Sequence, residues 1–373
     1  MKKPFWLKKS SLQYFWVNLL FSLFTIFIRP KGIKNKILIT EFDGIGDLVV
    51  NQKLVDLIIK KYGEENVYFL VRDNMVDLAV LMGYKYIFYE DNYHLSIFKL
   101  MEMYKKMCKY NFKELYFLEF HLGYDVNEIG NSDKEFKINF LKKFKFEKIY
   151  GYKNGIFNSW KEKNNVVTVR ATGKKILDKI YDYAIIVDKR VLKKDLIPDL
   201  VIEKSEQNYI AVGIGASDKI RIISPKKLAE FLNYISENSW VEFHILGYGK
   251  TQEEYYKKLE KYIKNKDTLI NYVGKLSLKE SVVEIANSKL YIGFDSGLYN
   301  IAYTLRKKIL AITDEKICPE YRHESLNIRF VHRSNEDKLL KNDDLEYKNE
   351  NLNSISLETF IKEYRFFDFE KES

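Results

Sequence analysis

The sequence predicts an α/β protein built from two parallel sheets, each covered by helices on both faces. Three observations carry this. Short apolar runs alternate with helix-period segments from residue 37 to about 150, the pattern of a parallel sheet. The alternation restarts after a connector at 192–205 and continues to residue 313. Glycine turns join a strand to the next helix within 36–47, 213–217 and 295–298. Backbone N–H groups and the positive end of a helix dipole make such turns anion sites. Three of them in one chain point to a phosphorylated ligand.

A chain of 373 residues with 46% apolar content exceeds one ordinary core and suggests two domains. The formal net charge of +10 favours an anionic partner, against the plain alternative of a solvated basic surface. Basic residues alternate with acids and no RNA-binding signature is present, so nucleic acid is not expected. Cys108 and Cys318 lie far apart without metal spacing. That fits a reducing, cytoplasmic compartment and argues against a disulfide framework or a zinc site.

The elements follow in order. Residues 12–28 are almost wholly apolar, while Ser11, Asn18, Ser22, Thr25 and Arg29 form one narrow helical stripe between lysine-rich flanks. A small-residue cleavage site is missing, and 17 residues is the lower limit for a spanning helix of about 20. The preferred expectation is a helix lying in the membrane interface through residues 12–28, at the inner face of the cytoplasmic membrane. A membrane anchor and a helix docked on the protein's own surface are the alternatives. Pro30 and Gly32 end the segment. Residues 37–40 read as a strand, 48–61 as a helix, 67–71 as a strand and 76–82 as a helix. Residues 86–89 are strand-like, 95–110 helical, 114–120 a strand and 137–144 helical, leading to 148–151.

In the second half, 209–213 is a strand and Ser224-Pro225 opens a helix through Ile235, Pro standing where a helix tolerates it. A strand at 241–246 is followed by Gly247 and Gly249, then a helix at 252–264. Residues 268–272 lead to Gly274, and Ser277 with Glu280 forms a capping box for 278–287. Strands follow at 290–294 and 309–313. The Asn-rich run 335–353 reads as an exposed crossing segment, and 359–367 as a last helix returning to the first domain. The expected organisation is an N-terminal helix at 1–32, a first domain at 33–200 with 355–373 packing back on it, and a second at 201–335.

Four segments resemble glycosyltransferase family 9, the lipopolysaccharide heptosyltransferases. Residues 37–49, ending Asp43-Gly44-Ile45-Gly46-Asp47-Leu48-Val49, match the family's opening strand and Gly-Asp turn. Gly213-Ile214-Gly215-Ala216-Ser217, with Lys219, Arg221 and Ser224-Pro225, resembles its donor-phosphate loop. Leu246-Gly247-Tyr248-Gly249 with residues 273–278, and Asp295-Ser296-Gly297-Leu298, match the rest. The resemblance spans most of residues 36–315. Asn300 departs from it where the family usually has His, and Ile223 where it usually has an aromatic residue.

The resemblance implies a GT-B fold, two Rossmann-like domains facing across a cleft, with the apolar N-terminal helix as an extra element. It implies inverting transfer of a sugar from a nucleoside diphosphate, by its family ADP-heptose, to an anionic glycolipid acceptor such as lipopolysaccharide core. No cofactor beyond that donor substrate and no metal are implied, and the sequence has no Asp-x-Asp cluster. Asp47 is the candidate general base; its plain alternative is a helix cap. Glu41 and Asp43 stand nearby, with Asp43 and His121 as acceptor candidates. Lys219, Arg221 and the amides at Ser217, Ser296, Gly297 and Leu298 are candidates to stabilise the leaving diphosphate, the two cations being otherwise solvated. Asp295 is read as orienting its turn. Gly247, Tyr248 and Glu253 or Glu254 are candidates for the nucleoside. The remaining histidines, His94, His244, His323 and His332, read as structural. Two other functions compete: a non-catalytic sugar-nucleotide-binding scaffold, and a dinucleotide oxidoreductase. The last is disfavoured because Val49 stands where G-x-G-x-x-G needs its last glycine.

Overall fold

The computed structural model describes residues 9–30, 34–40, 44–89, 96–118, 140–152, 165–316, 323, 325–339, 347 and 349–367, the side chains of 9–15 and 18 excepted. Two compact units result. The first comprises Met1–Asp43, Lys53–Lys174 and Asp178–Leu196; the second comprises Gly44–Gln52, Lys175–Leu177 and Ile197–Ser373.

The first unit carries α1 (Lys9–Phe27) and β1 (Lys34–Thr40). The short α2 (Ile45–Val50) belongs to the second unit, and the first resumes with α3 (Gln52–Tyr62). Next come β2 (Val67–Arg72), α4 (Val76–Leu81), β3 (Tyr86–Tyr89), α5 (Ile97–Cys108) and β4 (Asn111–Phe117). β5 (Lys148–Tyr152), β6 (Val166–Val169) and α6 (Ile176–Val187) complete it. Among the described residues its sheet has six parallel strands in the order β3-β2-β1-β4-β5-β6.

The second unit repeats the plan. It runs β7 (Tyr209–Gly213), α7 (Pro225–Asn238), β8 (Glu242–Leu246), α8 (Lys250–Glu260), β9 (Leu269–Asn271) and α9 (Leu278–Asn287). β10 (Leu290–Phe294), α10 (Gly297–Thr304), β11 (Ile309–Ile312) and β12 (Ile328–Val331) follow, then α11 (Glu350–Asn353) and α12 (Leu357–Tyr364). The sheet order is β12-β11-β10-β7-β8-β9. In each unit the first strand therefore neighbours the fourth, and the strand order reverses between them. Ligands of open α/β sheets sit in the crevice beyond the strand ends at such a reversal. β7 and β10 are buried along their whole length, which is why both read as unbroken apolar runs.

Local signals work as expected. Ser224 Oγ accepts from the Lys227 amide with Pro225 in the first turn of α7. Ser277 and Glu280 cap α9 reciprocally. Three elements, β6, α6 and β12, fall in stretches to which the alternation assigned nothing. The helix expected from Leu48 starts at Ile45 and is divided at Asn51.

The N-terminal helix lies on its own unit. Val17 and Phe21 are buried, and the Phe21 ring stacks on Phe140 and meets Tyr104 edge-on. Tyr104 donates to the Ile28 carbonyl at 3.1 Å, and Lys143 Nζ donates to Ser22 Oγ at 3.0 Å. Ser22, a member of the polar stripe, is thus turned to the protein. Trp16, Leu19, Leu20, Leu23, Ile26 and Phe27 are instead 41–85% exposed. No helix among the described residues is long and apolar enough to cross a membrane.

The C-terminal helix also departs from expectation. Instead of returning to the first unit, α12 packs within the second. Phe360 is fully buried and stacks on Phe231 of α7 at 4.2 Å. Arg329 of β12 donates to Glu363 at 2.7 Å. The apolar face of α12 is satisfied by the nearest open flank of its own sheet. Phe360→Ala is expected to lower unfolding free energy by about 3–5 kcal/mol, read by denaturant titration; an unchanged midpoint would contradict this packing.

Candidate functional site

At the C-terminal edge of the second sheet, the strand pairing Gly213↔Gly293 puts the turn after β7 beside the turn after β10. The turn after β8, Gly247-Tyr248-Gly249, adjoins on the β7 side, and Gly274 N–H donates to the Gly247 carbonyl at 2.9 Å. The three sequence motifs are therefore neighbours on one edge. Ser296 caps α10, its Oγ accepting from the Tyr299 amide at 3.4 Å. The amides of the first turn of α10 have no intrahelical acceptor, so the turn is disposed to receive an anion.

The glycines of this edge make room mainly for the protein's own side chains. A Cβ on Gly213 would stand 2.1 Å from the Tyr291 hydroxyl, and one on Gly293 2.5 Å from it. The Gln252 side chain fills the space over Gly215 and Gly247 in the same way, and its Oε1 accepts from the Tyr248 amide at 2.6 Å. Burial pushes the Tyr291 phenol well above its ordinary range, so it stays protonated.

The loop after β7 is held at several points. Asp218 accepts from the Ile220 amide. Asn349 donates to the Ile220 carbonyl at 2.8 Å, Tyr255 donates to the Ile223 carbonyl at 3.1 Å, and Asn353 Oδ1 accepts from the Ser224 amide at 2.7 Å. Both asparagines come from the segment read as an exposed crossing. Asn351 also donates to Asp314 beyond β11. The segment is a clamp, and its signal in the sequence is the spacing Asn349, Asn351, Asn353.

The predicted site residues fall as follows. Arg221 Nη1 lies 3.4 Å from Asp295 Oδ2, an ion pair tying the loop to the turn, with both side chains largely buried. Asp295 thus orients its turn through Arg221, and Arg221 enters the site already paired. Lys219 and Ser217 are exposed on the loop. Ser296, Gly297 and Leu298 are half-buried; Tyr248, Glu253 and Glu254 are exposed at the same edge. Asp43 and His121 lie outside the described residues, as do Glu41, His94 and Cys318. His244 bonds Glu284 at 2.7 Å and His332 pairs with Glu315 at 2.9 Å, structural contacts both.

Asp47 belongs to this unit as well. It is buried at the third position of α2, and its Oδ2 accepts from the Gly44 amide at 3.0 Å. The capping role is therefore real, and it fixes the carboxylate's rotamer. α2 rests on α10. A Cβ on Gly297 would stand 3.1 Å from Ile45 Cβ, and one on Gly46 2.5 Å from Asn300 Nδ2. Those two glycines bring the Asp47 turn against the Ser296 turn. Gln52, just beyond α2, exchanges two hydrogen bonds with the Asp199 backbone, at 3.2 and 2.8 Å. Asn300, Gln52, Gln252, Asn349 and Asn353 were all missed as site-forming residues. Among the described residues no group of three His, Cys, Asp or Glu side chains converges as a metal site.

Residues 170–348 match the model of glycosyltransferase family 9 (heptosyltransferase). No curated protein matches the sequence. Among solved structures, the chain resembles the ADP-heptose lipopolysaccharide heptosyltransferase II of E. coli, with TM-score 0.66 and 15% identity, covering 91% of this chain and 100% of that one. It resembles the glycosyl transferase family 9 protein of Veillonella parvula, with TM-score 0.67 and 15% identity, over 92% and 100% of the two chains. It resembles an E. coli heptosyltransferase solved with ADP, with TM-score 0.65 and 10% identity, over 88% and 98%. These likenesses establish the GT-B fold.

The clamp is testable alone. Asn353→Leu leaves the half-buried Ser224 amide without its acceptor, which should cost about 1 kcal/mol. Hydrogen exchange at Ser224 should accelerate correspondingly; unchanged protection would show that the clamp does not hold the loop.

Proposed function

The chain is a glycosyltransferase carrying a family 9 (heptosyltransferase) domain, and from this premise we propose that it moves a heptose from ADP-heptose to a lipopolysaccharide-core or related glycolipid acceptor. The observation that carries the proposal is the contact of α2 with α10. It puts one buried carboxylate, Asp47, beside a turn whose amides suit a diphosphate. That ADP is bound by one of the similar E. coli enzymes supports the choice of donor.

In this mechanism Asp47 takes the proton of the acceptor hydroxyl as its oxygen attacks the anomeric carbon from the face opposite the diphosphate. The configuration inverts. Charge builds on the departing diphosphate, where the first-turn amides of α10 and the cations Lys219 and Arg221 offset it. Arg221 acts from its pair with Asp295, so its guanidinium is preorganised and gives the leaving group an edge of its fork rather than a full charge. Lys219, exposed on the same loop, supplies a second positive charge. No step in this scheme calls on a metal. The exposed Tyr248, Glu253 and Glu254 lie one strand away, on the side proposed for the nucleoside.

Asp47→Asn is expected to preserve folding and ADP affinity while lowering kcat by roughly 100-fold or more, the scale of a lost general base. Release of ADP from ADP-heptose with acceptor present reads this directly. Near-wild-type turnover would reject Asp47 as the base. A wild type that binds ADP-heptose yet transfers to no acceptor would favour a binding scaffold.

The outward face of α1 supports a reading of where the acceptor is met. Trp16, Leu20, Leu23 and Phe27 present apolar surface to solvent, and lysines flank the helix at positions 2, 3, 8, 9, 31, 34 and 36. We propose that this face rests in the interface of an anionic membrane, holding the enzyme at its lipid-linked acceptor on the inner leaflet. Each lysine near an anionic surface adds about 1 kcal/mol, attenuated by salt. The full chain should sediment with phosphatidylglycerol-containing vesicles and be partly released by high salt. The double change Leu23→Ser and Phe27→Ser should weaken partitioning by at least about tenfold, given about 1.5–3 kcal/mol for each large side chain withdrawn from water. Equal binding of the variant, or no binding by the wild type, would reject the interfacial role.

A further inference from the structure

His323 stands apart from the chemistry just described, yet it is built into the centre of the site. Its imidazole is buried, stacked on the Tyr303 ring at 3.8 Å and 3° and lying over Tyr299 at 5.6 Å. Its Nε2 is 2.8 Å from Asn300 Oδ1. Asn300 in turn donates from Nδ2 to the Ser296 carbonyl at 3.1 Å. That bond identifies Nδ2 as the amide nitrogen, so Oδ1 is the carbonyl oxygen and can only accept. The imidazole must therefore carry its proton on Nε2. Burial drives its pKa down to about 3, so it remains a neutral donor across the physiological range.

The carboxamide so fixed touches both halves of the site. One side holds the Ser296 carbonyl, at the cap of α10. The other lies flat against Gly46, whose Cα approaches so closely that a Cβ there would stand 2.5 Å from Nδ2. The next residue is Asp47. If Asn300 rotated, its amide would lose both partners, and the surface on which Gly46 rests would change shape.

We infer that His323 is a positioning residue for the transfer: through Asn300 it holds the Ser296 turn and the Gly46-Asp47 turn in one register. This rests on the roles proposed above for those two turns. The imidazole touches no substrate. Its contribution is one N–H bond that stops the carboxamide from flipping, with two tyrosines holding the ring in plane. An error of about 1 Å between a base and its substrate costs about 100-fold in rate, so such a brace affects turnover more than donor binding.

Three single variants and one double variant of this chain, with NMR spectra, test this. His323→Phe keeps an aromatic ring between the tyrosines and removes the N–H; kcat should fall by about tenfold to 100-fold, with ADP affinity by calorimetry nearly unchanged. His323→Gln retains a side-chain N–H donor and should recover most of the loss. Asn300→Leu should match His323→Phe, and the double variant should lose little more, because the two act as one unit. Wild-type kcat in His323→Phe would overturn the inference. So would losses in all variants that follow their thermal stability and are not recovered by Gln, since these mark a merely structural residue.

Nitrogen-15 NMR of the wild type should show His323 as an Nε2–H tautomer that does not titrate between about pH 5 and 8. In His323→Phe the amide resonances of Gly46, Ser296 and Gly297 should shift. An ordinary histidine titration, or unmoved amides, would overturn the brace. These spectra need no substrate, so they decide the brace even if the wild type proves to transfer no sugar, an outcome that would sink the proposed activity alone.

Discussion

The site depends on the close approach of α2 to α10, which two glycines permit. Gly46 lies on the Asn300 carboxamide with no room for a methyl group, and Gly297 lies tightly under Ile45. A side chain at Gly46 would displace the Asn300 carboxamide, and one at Gly297 would crowd Ile45. Because one helix carries Asp47 and the other is capped by Ser296, widening this contact would part the carboxylate from the anion-binding turn. The same contact explains why residues 44–52 belong structurally to the second unit, although β1 before them and α3 after them belong mainly to the first.

Around this contact the sheet edge is lined by the protein's own polar groups. The glycines after β7 and β8 accommodate Tyr291 and Gln252. The loop bearing Lys219 and Arg221 is secured by Asn349, Asn353 and Tyr255. Each such hydrogen bond adds only about 1 kcal/mol net, but leaving a buried partner unpaired costs more. The loop is consequently specified by these hydrogen bonds together with Ile214, Ile222 and Ile223, which are buried in the core of the second unit, and Asp295 adds an ion pair to it. Charge on the loop is divided: Arg221 is neutralised locally and Lys219 is exposed.

The N-terminal helix is divided as well. One face, with Val17, Phe21 and the hydroxyl of Ser22, settles on α5 and the segment around Phe140 and Lys143. Trp16, Leu19, Leu20, Leu23, Ile26 and Phe27 look outward.

By itself, the amino-acid sequence determined the alternation of strands and helices, the restart at the second unit, the three turns at strand ends, and the caps at Ser224 and Ser277. All of these are set within a few residues, by side-chain periodicity and by hydrogen bonds that bridge three or four positions. The Gly44–Asp47 cap is of the same kind, which is why Asp47 was legible both as a cap and as a candidate base. Only the tertiary structure decided the rest. Phe231 meets Phe360, Ser224 meets Asn353 and Asn300 meets His323 across long stretches of chain. No local pattern announces such partners, because an asparagine or histidine has the same propensity whether it faces water or another buried amide. α12 was misdirected for that reason: its apolar stripe showed that it must pack, and only the open flank of β12 and α7 determined where.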